Sequence, residues 1–171
     1  MSSGIPNVNQ LVCGSSPDSV AAAAALMRTQ NGEDWGLEFS LPNQVGRIGP
    51  KNWSGQRHVG ILGLAVNNDS RSNSDELTIE FINSIHDEGH KIEFIFDEHG
   101  KGSWEEVLKK SKVDPENVTI LTTDRSERSS TCAILKDQLG EIKDQTTLDL
   151  LEAGNQADQL KYTELGDILI R

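Results

Sequence analysis

LVCGSSPDSVAAAAAL, Leu11 to Leu26, starts apolar, passes through a small polar loop and continues as an alanine-rich run. Leu11 to Cys13 reads as a short strand and GSSP as a turn. Asp18 to Arg28 reads as a helix, because alanine, leucine and methionine favour that conformation. A strand feeding a helix through a tight loop is the opening unit of an alternating α/β chain. Asp18 falls in the first turn of that helix, where the macrodipole favours a carboxylate by a few tenths to about 1 kcal/mol. The small alanine side chains let the helix lie close against a sheet.

The rest of the chain repeats the alternation. HVGILGLAV, His58 to Val66, is an almost unbroken apolar run of strand length, which suits an inner strand covered on both faces. A helical pattern runs from Ser74 through Ile85 and stops at Gly89, with Asp75 and Glu76 in its first turn. KIEFIF is the next strand. Ser103 with Glu106 three residues on reads as a capping box opening a helix through Lys110. VTIL is a short strand, helices follow around Arg128 to Leu139 and Gln145 to Ala153, and YTELGDILIR looks like the start of another. The Gly-, Asn- and Pro-rich stretch between offers only short strands, near Trp35 to Phe39 and Val45 to Ile48. The expected architecture is α/β, a mostly parallel sheet with helices on both faces, formed by residues 1–171 as a single domain.

The totals narrow the function. With 27 acidic against 16 basic side chains the formal charge is −11, which repels a phosphate backbone and disfavours general coating of nucleic acid. Salt adaptation is another cause of such acidity. Two cysteines, Cys13 and Cys132, are too few for a disulfide framework and lack metal spacing; they read as buried thiols in a reducing compartment. No apolar run approaches a membrane span and the first residues lack a signal-peptide pattern, so the expected location is cytoplasmic, or nuclear in a eukaryote.

In open parallel sheets ligands gather beyond the carboxyl ends of the strands. GSSPD, NND and DEHG fall there, and AGNQAD follows a helix, so one cleft is expected to gather Asp18, Asn67, Asn68, Asp69, Asp97, Glu98, His99 and Asp158. Plainer readings exist for other polar groups. His58, His86 and His90 suit element boundaries, and Trp35, Trp53 and Trp104 are too scattered to read as a stacking platform. Cys132 suits an apolar helix face. Arg125, Arg128 and Lys136, near a Ser/Thr-rich helix start, read as capping and solvated charge more readily than as an anion site.

The ordered series strand-loop-Asp18-helix, a second strand with a polar tip, KIEFIF-DEH, SSTCAIL and LLEAGNQAD resembles the DHH phosphoesterase family, over about Leu11 to Tyr162. That family includes RecJ-type nucleases, nanoRNases, cyclic-dinucleotide phosphodiesterases and family II pyrophosphatases. The resemblance implies two Mn or Mg ions, held by carboxylates and histidines, that activate water against a phosphoryl group. Aligned on the family's HxxxDxD motif, Asp18 takes the first aspartate, Gly14 stands where histidine belongs and Val20 where the second aspartate belongs. The second motif's aspartate falls on Asn67 or Asn68, with Asp69 adjacent. The name-giving motif reads Asp97-Glu98-His99, and Asp158 matches the fourth motif's aspartate.

Of the family's ligands Asp18 and Asp158 survive, with Glu98 and Asp69 as candidate replacements, and the four hold one ion at most, because two close divalent ions need more compensating charge. The resemblance also implies a smaller C-terminal domain that closes the cleft, and the chain ends at Arg171, where a linker to it would begin. The expectation is therefore a degenerate, catalytically inactive DHH-like domain without a cofactor. It would serve as a binding or scaffold module for a protein partner, as in the Cdc45-like branch of the superfamily in DNA replication or repair. The alternative is a Mn- or Mg-dependent phosphoesterase acting on a nucleotide or oligonucleotide, with His99 and Asp97 as catalytic candidates.

Overall fold

A computed structural model describes residues 4–66, 74–98, 101–122 and 130–158. The described strands are β1 (Gln10–Gly14), β2 (Gly36–Ser40), β3 (His58–Leu62), β4 (Lys91–Asp97) and β5 (Thr119–Thr122). They form one parallel sheet in the order β2-β1-β3-β4-β5. The helices are α1 (Pro17–Gln30), α2 (Ser74–Asp87), α3 (Lys101–Lys110), α4 (Thr131–Leu139) and α5 (Gln145–Asp158). The expected α/β class is what the structure has. None of the described helices is long and apolar enough to cross a membrane.

Side-chain alternation along the strands divides the core into two layers. Leu11, Cys13, Leu62, Phe94 and Phe96 pack with Ala22, Ala25 and Leu26 of α1 and Leu135 of α4, and Leu151 of α5 closes that layer. Val12, Ile61 and Ile95 turn the other way, against Phe81, Ile82 and Ile85 of α2 and Trp104 and Leu108 of α3. The register of β4 shifts at Glu93, between the pairs Val59–Ile92 and Gly60–Phe94. That extra residue resets the alternation, so Ile92 and Ile95 both reach the α2/α3 layer. Gly60 leaves room for the Phe94 ring, whose Cζ would lie 2.3 Å from a Cβ there. Phe94 and Phe96 stack at 4.4 Å between centroids.

Several expectations are corrected. Val45–Ile48 is not a strand: Pro42–Arg47 is a 3-10 helix, because proline presets its first turn and Val45 alone of that apolar pattern is buried. The apolar run from His58 stops being a strand at Leu62, where Gly63 turns with φ +57. Ser103 is not an N-cap. Helix α3 already runs from Lys101, which places Ser103 inside its first turn. Helix α5 continues through AGNQAD to Asp158 instead of stopping at Ala153. The proposed start of α4 at Arg128, and the YTELGDILIR helix, lie outside the described residues.

The chain passes from β1 to β2 on one side, then returns across β1 to lay down β3, β4 and β5 on the other. The reversal between β1 and β3 is the switch point at which doubly wound sheets open a crevice beyond their strand ends. Gly14, Gly63 and Glu98 lie at those ends, and the N-termini of α1 and α4 come with them.

Candidate metal site

Asp18 answers for both its helix and its neighbours. It is fully buried at the start of α1, where its Oδ1 accepts from Ser16 Oγ at 2.6 Å and its Oδ2 accepts from the Thr131 main-chain N–H at 3.1 Å. Thr131 opens α4, whose N-cap Ser130 accepts the Ala133 N–H at 3.1 Å. Two helix N-termini therefore converge on one carboxylate, and both stabilise its negative charge. The Ser/Thr-rich start of α4, read as a capping group, does cap; its first N–H is spent on Asp18. Arg125 and Arg128 lie outside the described residues, and Lys136 is on α4, exposed.

Thr131 ties the site together, because its hydroxyl donates to Glu98 Oε2 while its amide holds Asp18. Carboxylate oxygens of Asp18, Glu98 and Asp158 lie within 4.8 Å of one another, the first buried, the second half-buried and the third exposed. Asp158 arrives through the alanine run. Gly154 of α5 sits so close to α1 that a Cβ on it would lie 2.7 Å from Ala21 Cβ and 2.5 Å from Cys132 Sγ. Small residues on both helices permit that approach, and Asp158 follows one turn later. Cys132 Sγ donates to the Asp18 carbonyl at 3.1 Å. Burial pushes both thiols well above the ordinary thiol range, and at Cys132 the carboxylates of Asp18, Glu98 and Asp158 add to the effect. Neither thiol has the character of a nucleophile.

The other expected members separate. Asp97 is buried, and its Oδ2 accepts from Trp104 Nε1 at 3.0 Å. Alternation along β4 sends it to the α3 layer while Phe96 faces the α1 layer. That signal was present in the sequence. His99, Asn67, Asn68 and Asp69 lie outside the described residues. His58 and His86 are exposed, and His90 lies at the opposite end of the sheet, before β4. The residues that sequence reading passed over are Ser16 and Thr131, the two donors that orient Asp18.

Gly14 is closed by the fold. A Cβ on it would lie 2.0 Å from the Gly63 carbonyl oxygen and 3.1 Å from Ser19 Oγ. Gly63 is held in turn, its N–H bonded to the Phe96 carbonyl at 2.7 Å and its carbonyl accepting from Ser19 Oγ at 3.3 Å. Position 14 therefore cannot carry an imidazole without moving the β3 turn. Val20, two residues past the buried Asp18, is 37% exposed, as expected for positions 200° apart on a helix.

Among the described residues, Asp18, Glu98 and Asp158 form a donor set that could hold a hard cation. Around an ion with oxygens at about 2.1 Å, cis ligands sit about 3 Å apart and trans ligands about 4.2 Å, so a 4.8 Å cluster needs only modest closure. Carboxylates this close repel one another when charged, and a divalent ion between them would remove the repulsion. No family model matches the chain, and the search of curated proteins found no match to it.

Proposed function

We propose that this chain is a degenerate DHH-like domain that binds rather than hydrolyses, its cleft holding a single Mg or Mn ion between Asp18, Glu98 and Asp158. The observation that carries this reading is the closed position at Gly14, 2.0 Å from the Gly63 carbonyl for any added Cβ. A two-metal hydrolase needs donors on both sides of the bridging water, and position 14, where the family has a histidine, is closed by backbone. One ion with open coordination positions still recruits a phosphate-bearing ligand such as a nucleotide or oligonucleotide end. The module's work is then recognition or scaffolding with a protein partner, in the Cdc45-like manner and in the setting of DNA replication or repair that the resemblance implies.

The convergence of three carboxylates supports the rival reading, a one-metal phosphoesterase. Hydrolysis of bis(p-nitrophenyl) phosphate with Mn separates the two. The binding reading predicts no turnover above buffer, and no difference between the native chain and its Asp18→Asn and Asp158→Asn variants. Turnover that needs both carboxylates overturns it.

A further inference from the structure

The large hydrophobic side chains exposed among the described residues are Val20, Leu37, Phe39 and Leu41. Three of them are alternate residues of one strand and its extension. Among the described strands β2 is an edge of the sheet, and α1, which carries Val20, is the crossover helix that leads into it. Edge strands that pair with nothing usually carry charge, proline or a bulge on the outer face. β2 carries an apolar stripe, with one central carboxylate, Glu38.

The hydrogen-bonding polarity of β2 decides what can sit beside it. The Gly36 N–H bonds to the Asn9 carbonyl at 2.9 Å, and β1 and β2 run parallel in register from Gln10–Gly36 to Gly14–Ser40. In a parallel pair alternate residues bond the neighbour, so Gly36, Glu38 and Ser40 are spent on β1. The main-chain groups of Leu37, Phe39 and Leu41 face the open edge. Their side chains share the face of their partners Leu11 and Cys13, in the α1 layer.

We infer that β2 is a self-association edge, and that a second copy of this chain pairs with it antiparallel about a two-fold axis through Phe39. This goes beyond the metal-site reading and does not depend on it. In that register Phe39 meets Phe39 of the other copy as a hydrogen-bonded pair, exchanging both N–H to carbonyl bonds. Leu37 faces Leu41, and the Leu41 N–H reaches the Leu37 carbonyl, whereas the Leu41 carbonyl already accepts from Gln44 N and Ser40 Oγ at 2.9 Å each. Glu38 falls opposite Ser40 on the other face, where its Oε2 also accepts from Gly49 N–H at 3.2 Å. Shifting the axis by one residue would keep the outward N–H groups matched but set Glu38 against Glu38 at the closest cross-strand spacing. Among the hydrogen-bonded registers, the one centred on Phe39 keeps the two Glu38 carboxylates apart and puts no central bond on the filled Leu41 carbonyl. A two-fold axis normal to the sheet keeps faces matched, so the two apolar stripes become one and both copies of α1 flank it.

Sedimentation velocity over a concentration series, at low and at high salt, tests this. A reversible dimer is expected, tighter at high salt because the formal charge of −11 per copy is screened. Phe39→Glu should raise the dissociation constant by about a hundredfold or more through charge placed on the axis, with an unchanged circular dichroism spectrum. Phe39→Cys should give a covalent dimer on mild oxidation, since an axial pair lies within disulfide reach, and Val12→Cys, in the buried interior, should not. A chain that stays monomeric at every concentration overturns the inference. So does a dimer insensitive to Phe39→Glu, or a monomer that dimerises only after residues 159–171 are removed, which would make that segment the occupant of the edge.

Discussion

Gly14→Ala isolates the packing that closes the site. The added methyl carbon would lie 2.0 Å from a carbonyl oxygen, and real Cβ contacts are essentially never under 3.0 Å. The gap between β1 and the Gly63 turn must therefore open from 2.0 Å to at least 3.0 Å. The obstacle is backbone, held by Phe96 and Ser19, so no side chain can swing aside. Overpacking of this kind costs about 1 to 3 kcal/mol, and the immobile neighbour puts Gly14→Ala near the upper end. At roughly 2 to 4 °C per kcal/mol for a chain of this size, the melting temperature should fall by about 6 to 12 °C. Gly102→Ala is the control, because nothing lies within 4 Å of a Cβ in that turn of α3 and the change should be neutral or stabilising. Differential scanning calorimetry of both variants reads the difference. Equal melting temperatures for Gly14→Ala and the native chain would refute the argument that position 14 has no room for a ligand.

Three further outcomes follow from particular contacts. Trp104→Phe removes a donor to the buried Asp97 carboxylate and should cost about 1.5 to 3 kcal/mol in urea unfolding, while leaving Mn affinity unchanged because Asp97 faces the α3 layer. Gly154→Val should push α5 off α1, moving Asp158 from Asp18; calorimetry should show weaker Mn binding together with a lower melting temperature. His90 accepts the Arg57 main-chain N–H on Nδ1 at 3.1 Å, and burial, opposed by the Glu88 charge and aided by the Arg57 charge, holds its pKa below the usual 6.5. The unfolded chain then takes up the proton first. Stability should be flat above about pH 6.5 and fall as the pH drops below it, and His90→Gln, measured by urea unfolding at several pH values, should lose that component.

The alternation of strand and helix was legible because buried parallel strands are written as apolar runs and their helices as periodic ones. HVGILGLAV, KIEFIF and the alanine run each state their element locally. The Val45 to Ile48 pattern misled because a two-residue period in so short a stretch does not distinguish a strand from a proline-started 3-10 turn. Ser103 misled for a related reason, since a capping box marks a helix start only if nothing before it is helical. Of the expected cleft, Asp18, Glu98 and Asp158 come together, and Asp97 could have been removed by following β4's alternation past Phe96. The closure at Gly14 could not be read, because it depends on Gly63, far away in sequence, taking a left-handed turn against it. Thr131 was equally hidden: its bond to Asp18 spans 113 residues.

Calorimetric titration of the chain with Mn, with and without Asp18→Asn, tests the central claim most directly. The account predicts one ion per chain in the native protein and none in the variant. Two ions per chain in the native protein, or one ion bound as tightly without the Asp18 charge, would contradict it.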